Sequence, residues 1–169
     1  MESLPVLVRD GIRLREVDPI DAAALTALFK MPEVSTYLDP PPGTVEEFAS
    51  WIALSQSRRA DDKAACYTLI TGENEISGLF MALRTDHDPA RAEIGFAMAP
   101  HLWGTGVFLT TIQLYLDFLF TDWGVKTLVG KTRAHNARGV GAMRKLGARV
   151  IEHAERSGYS EYVWTIERS

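Results

Sequence analysis

Glu93-Ile94-Gly95-Phe96-Ala97-Met98-Ala99-Pro100-His101-Leu102-Trp103-Gly104-Thr105-Gly106-Val107-Phe108 is the stretch on which the reading of this chain turns. A strand-like segment enters a loop carrying two glycines and runs straight into an apolar helical segment. Glycines let successive backbone N–H groups turn toward one point, and a helix start adds partial positive charge there. A phosphate or pyrophosphate is the natural guest of such a place. Tight turns use glycine too, so a Gly-x-Gly pair by itself leaves both readings open. The segment is neither a P-loop, lacking a closing Gly-Lys-Ser/Thr, nor a dinucleotide fingerprint, lacking the third glycine.

Working outward, Ile12 to Val17 alternates apolar and polar residues, as a half-buried strand does. Asp18 reads as a helix N-cap with Pro19 at the first helical position, and apolar residues continue to Phe29. Pro40-Pro41-Pro42-Gly43 stops regular structure. Thr44 with Glu47 forms a capping-box pattern that opens a helix over about 45–60, with Val45, Phe48, Trp51 and Ile52 on one face. Strands are expected over about 64–71, 75–84 and 91–98, joined at Thr71-Gly72-Glu73-Asn74 and Asp86-His87-Asp88-Pro89. A helix over about 105–120 follows, then a strand over 127–133 and a helix over about 137–146 that ends at Gly147. Two last strands, about 148–156 and 160–167, turn at Ser157-Gly158. The expected order is β-α-α-β-β-β-α-β-α-β-β, an α/β (α+β) fold with a mixed sheet.

The length of 169 residues suits one domain, expected over 1–169, and the 46% hydrophobic content supplies its core. The 18 Lys and Arg against 22 Asp and Glu give a formal net charge of -4, which argues against a nucleic-acid partner needing a concentrated basic face. The single cysteine, Cys66, rules out an internal disulfide and a cysteine-based zinc cluster, and its apolar neighbours make it a small core residue. No paired His, Asp and Glu spacing points to a metal. The N-terminus lacks the pattern of a signal peptide, and the apolar run from Val107 to Phe120 is broken by Thr110, Thr111, Gln113 and Asp117. A cytoplasmic protein with no membrane span is expected, and a homodimer stays open.

A second motif, His135-Asn136-Ala137-Arg138-Gly139-Val140-Gly141-Ala142-Met143-Arg144-Lys145-Leu146-Gly147-Ala148, puts Asn136 at an N-cap. Gly139 and Gly141 then fall inside a helix, each at a cost of roughly 1 kcal/mol relative to alanine. Something must offset that cost, such as close approach of a ligand or another backbone.

Together the segments resemble the GCN5-related N-acetyltransferases (GNAT), in the branch of the ribosomal-protein acetyltransferases RimJ and RimL. The resemblance rests on Ala92-Glu93-Ile94-Gly95-Phe96, Trp103-Gly104-Thr105-Gly106 and Asn136 with Lys145-Leu146-Gly147-Ala148, and the element order matches from Ile12 to Ile166. It implies a GNAT fold whose central strands, ending at Met98 and starting at Thr127, splay apart. Acetyl-CoA is the implied cosubstrate, with pantetheine on the backbone of Phe96, Ala97 and Met98. Its pyrophosphate would lie on the N–H groups of Trp103, Gly104, Thr105, Gly106, Val107 and Phe108, Asn136 would contact the pantetheine arm from the opposite side, and Arg138 is a further cofactor-binding candidate. Phe108 stands where the superfamily loop carries a small residue, and Gly139 where many relatives carry serine.

The resemblance implies transfer to a primary amine, a protein N-terminus or a small molecule, by direct attack. Glu93 is the candidate general base and a backbone N–H near Met98 the candidate carbonyl polariser, while a solvated carboxylate without catalytic duty remains the competing reading of Glu93. The tyrosine acid of many relatives falls at Met143. Tyr159 and Tyr162 are spare aromatics, and His101 and His135 flank the cofactor segments. Tyr37, the Pro40–Pro42 loop and Trp51 would face the acceptor. A non-catalytic acyl-CoA-binding module and a tRNA-acetylating toxin are the rival readings.

Overall fold

The chain begins with a strand that the expected element order lacks. β1 (Leu7–Arg9) pairs with β2 (Ile12–Glu16) across Asp10-Gly11, whose φ angles are 50° and 76°. A two-residue hairpin turn needs positive φ at both central positions, and Asp-Gly meets that need. So short a strand shows no alternation; the Asp-Gly pair is its signal. The computed structural model describes residues 1–168, and Ser169, the last residue of the expected domain, lies outside the described residues.

Asp18 caps as expected, accepting from the Ile20 N–H, but Pro19–Asp21 form a 3-10 turn and α1 (Ala22–Lys30) starts only after it. The reason is Asp21. Its carboxylate turns back to the Asp18 N–H at 3.0 Å, takes two bonds from Arg15 at 2.7 and 2.8 Å, and accepts from Thr68. A short α2 (Pro32–Ser35) precedes the proline segment. In α3 (Val45–Ala60) the Thr44 hydroxyl accepts from Glu47, whose carboxylate reaches Gly43 rather than Thr44. Phe48 and Ile52 are buried, while Val45, in the first turn, is exposed.

The remaining elements are β3 (Tyr67–Thr71), β4 (Glu75–Arg84), β5 (Arg91–Met98), α4 (Val107–Phe120), β6 (Thr127–Arg133), α5 (Ala137–Lys145), β7 (Arg149–Arg156) and β8 (Tyr159–Glu167). β3 is shorter than expected because Ala64 and Ala65 meet β4 only through a bridge and a pair of bonds at Ala82. α4 opens at Val107 rather than near 105 because Gly106, at φ 88°, occupies the cap.

One sheet holds all eight strands in the order β1-β2-β3-β4-β5-β6-β8-β7. Every neighbouring pair is antiparallel except β5 and β6. One face is covered by α4 and α5, with Phe80, Ile94, Met98, Tyr115, Leu128, Met143 and Trp164 in a single buried cluster. The opposite face is covered by α1–α3 over β4 and β5, where Leu25, Phe48, Ile52, Leu79 and Ala97 meet. Cys66 lies in that second cluster, and burial pushes its thiol up to about 12, which leaves it an unreactive core residue.

Candidate active site

The parallel pair of β5 and β6 is where the sheet comes apart. Arg91, Ala92 and Glu93 pair with Thr127, Leu128 and Val129, and pairing stops there although both strands run on to Met98 and Arg133. Backbone groups past that point need another partner. Register decides which ones are free. The bonds from Thr85 N–H to Arg91 and from Ala99 N–H to Ser77 show that the odd-numbered residues of β5 bond to β4. Phe96 and Met98 therefore direct their backbone groups into the gap, and Ala97 directs its own toward β4.

Phe96 and Met98 share the α4 face, while Glu93, Gly95 and Ala97 share the other, as strand alternation requires. Phe96 stacks on Phe80 and meets Phe108 at 5.1 Å between ring centres. Phe108 thus packs beneath the loop, inward from the glycines, and leaves the loop's outer surface open.

In the loop, Gly104 and Gly106 take φ of 74° and 88°. The N–H groups of Trp103 and Thr105 are spent on Pro100 and Leu102, and that of Val107 approaches the Thr105 hydroxyl at 3.4 Å. Those of Gly104, Gly106, Phe108 and Leu109 find no acceptor among the described residues. Four unspent donors at the start of a fourteen-residue helix make a place for an anion. The Trp103 indole donates to the Met98 carbonyl at 2.9 Å, tying the loop to the end of β5.

α5 approaches from the far lip of the gap. The Asn136 carboxamide oxygen caps it by accepting from Gly139 at 3.0 Å, which leaves its amide nitrogen free. That contact also explains Gly139, since a β-carbon there would lie 2.5 Å from the Asn136 amide nitrogen. Gly141 faces open space, so no protein contact accounts for it. Arg138 lays its guanidinium 4.5 Å over the Trp103 ring, which joins the two motifs and adds a cation beside the free N–H groups. Met143 is buried, so the tyrosine position of the resemblance holds a core thioether.

Glu93 sits at the last paired rung of β5. Its carboxylate is half exposed and 3.6 Å from the Lys131 ammonium of β6. Tyr159 stacks under Arg133, and Tyr162 lies between His153 and Trp164. His101 lies 3.7 Å from Glu75 at the surface, and Tyr37 is exposed. Lys131 and Arg133 are residues that the motifs do not single out; their signal in sequence is two cations alternating along one strand face.

A surface depression of about 620 Å³ lies at the other end of α4, between Asp62, Arg84 and Trp123. There the Arg84 guanidinium bonds to the carbonyls of Asp62, Pro89 and Trp123 and covers the Trp123 ring, a clamp between loops rather than a reaction site. Among the described residues no cluster of His, Cys, Asp and Glu could hold a metal, and no helix is long and apolar enough to cross a membrane.

A profile of the acetyltransferase (GNAT) domain matches residues 12–149. The chain is 24% identical over 145 residues to the uncharacterized N-acetyltransferase p20 of Bacillus licheniformis, covering 85% of this chain and 82% of that one. A Salmonella typhimurium acetyltransferase that modifies the N-terminal serine of ribosomal protein L7/L12 superposes with a TM-score of 0.85 at 16% identity, over 98% of this chain and 100% of that one. RimJ of Mycobacterium smegmatis, solved with CoA-disulfide, gives 0.80 at 17% identity over 97% and 86%. At such identities the likeness of the structures is one of fold.

Proposed function

The chain belongs to the acetyltransferase (GNAT) domain family and is an acyltransferase, and we propose that it moves the acetyl group of acetyl-CoA directly onto a primary amine. The observation that carries the proposal is the set of unspent N–H groups at Gly104, Gly106, Phe108 and Leu109, beside a gap lined by the free backbone of Phe96 and the free N–H of Met98. A pyrophosphate fits the first, and an extended amide-bearing chain fits the second. RimJ, a relative in fold, holds a CoA derivative, which supports the same guest here. Residues 1–169 are taken as one acetyltransferase unit.

Acetyl-CoA supplies an acetyl group activated as a thioester. In the proposed arrangement the loop donors and Arg138 bind its phosphates, and the Trp103 bond to Met98 keeps the loop against β5. The Met98 N–H, directed into the gap, polarises the acyl carbonyl. The acceptor nitrogen attacks the acyl carbon, the C–S bond breaks, and the thiolate takes a proton from water, since Met143 offers none. Glu93 receives the proton lost by the amine through intervening water. Ala97, bonded toward β4, lines the gap.

For the acceptor, a protein N-terminus is favoured by the activity of the Salmonella relative in fold. The acceptor side mixes Lys131 and Arg133 with Glu93 and Asp39, unlike the basic groove that a tRNA would need. Calorimetry with acetyl-CoA, paired with thiol release over amines and N-terminal peptides, tests the proposal. Absence of heat with acetyl-CoA removes it. Full turnover by Glu93→Gln removes only the assignment of the base.

A further inference from the structure

The two sides of the sheet differ in what they allow near the gap. On the α4 side, Phe80, Phe96 and Phe108 fill the space against β5. On the other side, the apolar cluster under α1–α3 includes residues of β4 and β5 but none of β6, β7 or β8. Past the last paired rung, Gly95 and Ala97 are the β5 residues on that side, and Gly95 presents no side chain at all. An amine can reach the gap from this uncovered half of the sheet, over β6, with Met81 bordering Gly95 on the covered side.

Continuing the β5–β6 register beyond Glu93 and Val129 puts Lys131 level with Gly95 and Arg133 level with Ala97. Both cations lie on the uncovered side, because Leu128 and Gly130 face α4 and α5. Lys131 already has Glu93 as its partner. Arg133 is different. Its guanidinium is held 4.1 Å over the Tyr159 ring, yet its nearest carboxylate, Asp39, is 3.7 Å away and 91% exposed on an irregular segment. None of its five N–H donors makes a hydrogen bond among the described residues. The other charges nearby are Glu161, bound to Arg156, and the Lys131–Glu93 pair. A stacked guanidinium with unspent donors is fitted to a planar oxygen acceptor, and it competes poorly for a polycation.

Resting on the acetyl-transfer reading, we propose that Arg133 selects the acceptor by binding the acyl oxygen of an α-amino-acyl group, so that the enzyme takes amines one carbon away from a carbonyl. A peptide N-terminus and a free amino acid share that chemistry. Simple amines, polyamines and aminoglycosides lack it. Tyr159 acts as a positioning residue that keeps the guanidinium over the entrance.

The test measures thiol release from acetyl-CoA with C-amidated tripeptides of varied N-terminal residue, free amino acids, n-butylamine, spermidine and kanamycin. Turnover confined to the first two groups is expected, and the better of them identifies the source. Arg133→Ala raises the acceptor KM roughly 10- to 100-fold while the KM and binding heat of acetyl-CoA stay at wild-type values. Arg133→Lys recovers part of the loss, and Tyr159→Leu shifts the acceptor KM in the same direction without altering β6. Turnover only on amines without a carbonyl, turnover on nothing in the panel, or an acceptor KM within about twofold of wild type in Arg133→Ala overturns the proposal. A missing heat with acetyl-CoA would instead strike the acetyl-transfer reading itself.

Discussion

The terminal methyl of Met143 lies so close to the α-carbon of Gly130 that a β-carbon there would be 2.9 Å from it. The glycine of β6 and the thioether of α5 are one packing unit, and Ile94 of β5 borders it. Met143→Ala opens a cavity at a buried site, expected to cost about 2–5 kcal/mol. Gly130→Ala alone forces the methionine aside, at about 1 kcal/mol. Made together, the two changes should cost less than their sum by at least about 0.5 kcal/mol, because the new methyl occupies part of the vacated space. Urea unfolding of the four proteins measures this, and strict additivity would show that the pair is not coupled.

Gly139 gives a prediction of opposite sign to the usual one. Alanine for glycine inside a helix ordinarily gains about 1 kcal/mol. Here the added carbon meets the Asn136 carboxamide, so the forced contact and the displaced cap together should outweigh that gain and leave Gly139→Ala less stable than wild type. In an Asn136→Ala background the obstacle is gone, and the same substitution should stabilise. Thermal unfolding of both backgrounds reads the change of sign.

The loop prediction concerns affinity. Gly106 holds φ 88° with nothing within 4 Å of a would-be β-carbon, so substitution is strained without being crowded. Gly106→Ala should cost roughly 1–2 kcal/mol of backbone strain and turn the neighbouring N–H groups off their common point. Acetyl-CoA binding by calorimetry is expected to weaken at least about tenfold. Arg138→Ala should weaken it less, since it removes one charge and leaves the donors. Unchanged affinity in Gly106→Ala would mean that these N–H groups do not hold the phosphates.

Asp21 links stability to acid. Burial raises its pKa, but bonds from Arg15, the Asp18 N–H and Thr68 outweigh burial and hold it below the ordinary carboxylate range. A carboxylate lowered on folding stabilises fully above its unfolded pKa, about 3.9, and that stabilisation fades as pH falls through the lower folded value. Asp21→Asn should therefore lose roughly 2–4 kcal/mol at neutral pH, with Arg15 left short of its partner, and the difference should shrink below about pH 4. Urea unfolding at neutral pH and at about pH 3 tests it; parallel losses in the two proteins would contradict the role given to Asp21.

What was legible beforehand follows from distance along the chain. The strand into Met98, the glycine loop and α4 are contiguous, so their order alone carried the phosphate reading. Asn136 capping α5 and Gly147 at φ 74° closing it are local events as well. The Trp103 bond to Met98 and the stacking of Arg138 on Trp103 depend on how separate elements meet, and no spacing encodes them. Arg133 and Tyr159 are brought together by the pairing of β6 with β8, and Asp39 reaches them from the irregular segment after α2. Which loop residues donate was equally hidden: Trp103, Thr105 and Val107 spend their N–H groups on nearby loop oxygens while those beside them stay free.

Because β5 and β6 part beyond Glu93 and Val129, the pantetheine of the proposed cosubstrate would complete this sheet in place of polypeptide. Empty and loaded protein should then differ in local opening, since a bound pantetheine would bridge the two strands where they lack each other. The melting temperature should climb with the logarithm of acetyl-CoA concentration. The amides of Phe96 and Met98 should pass from fast to slow hydrogen exchange as it does, making the fold itself a gauge of cosubstrate supply.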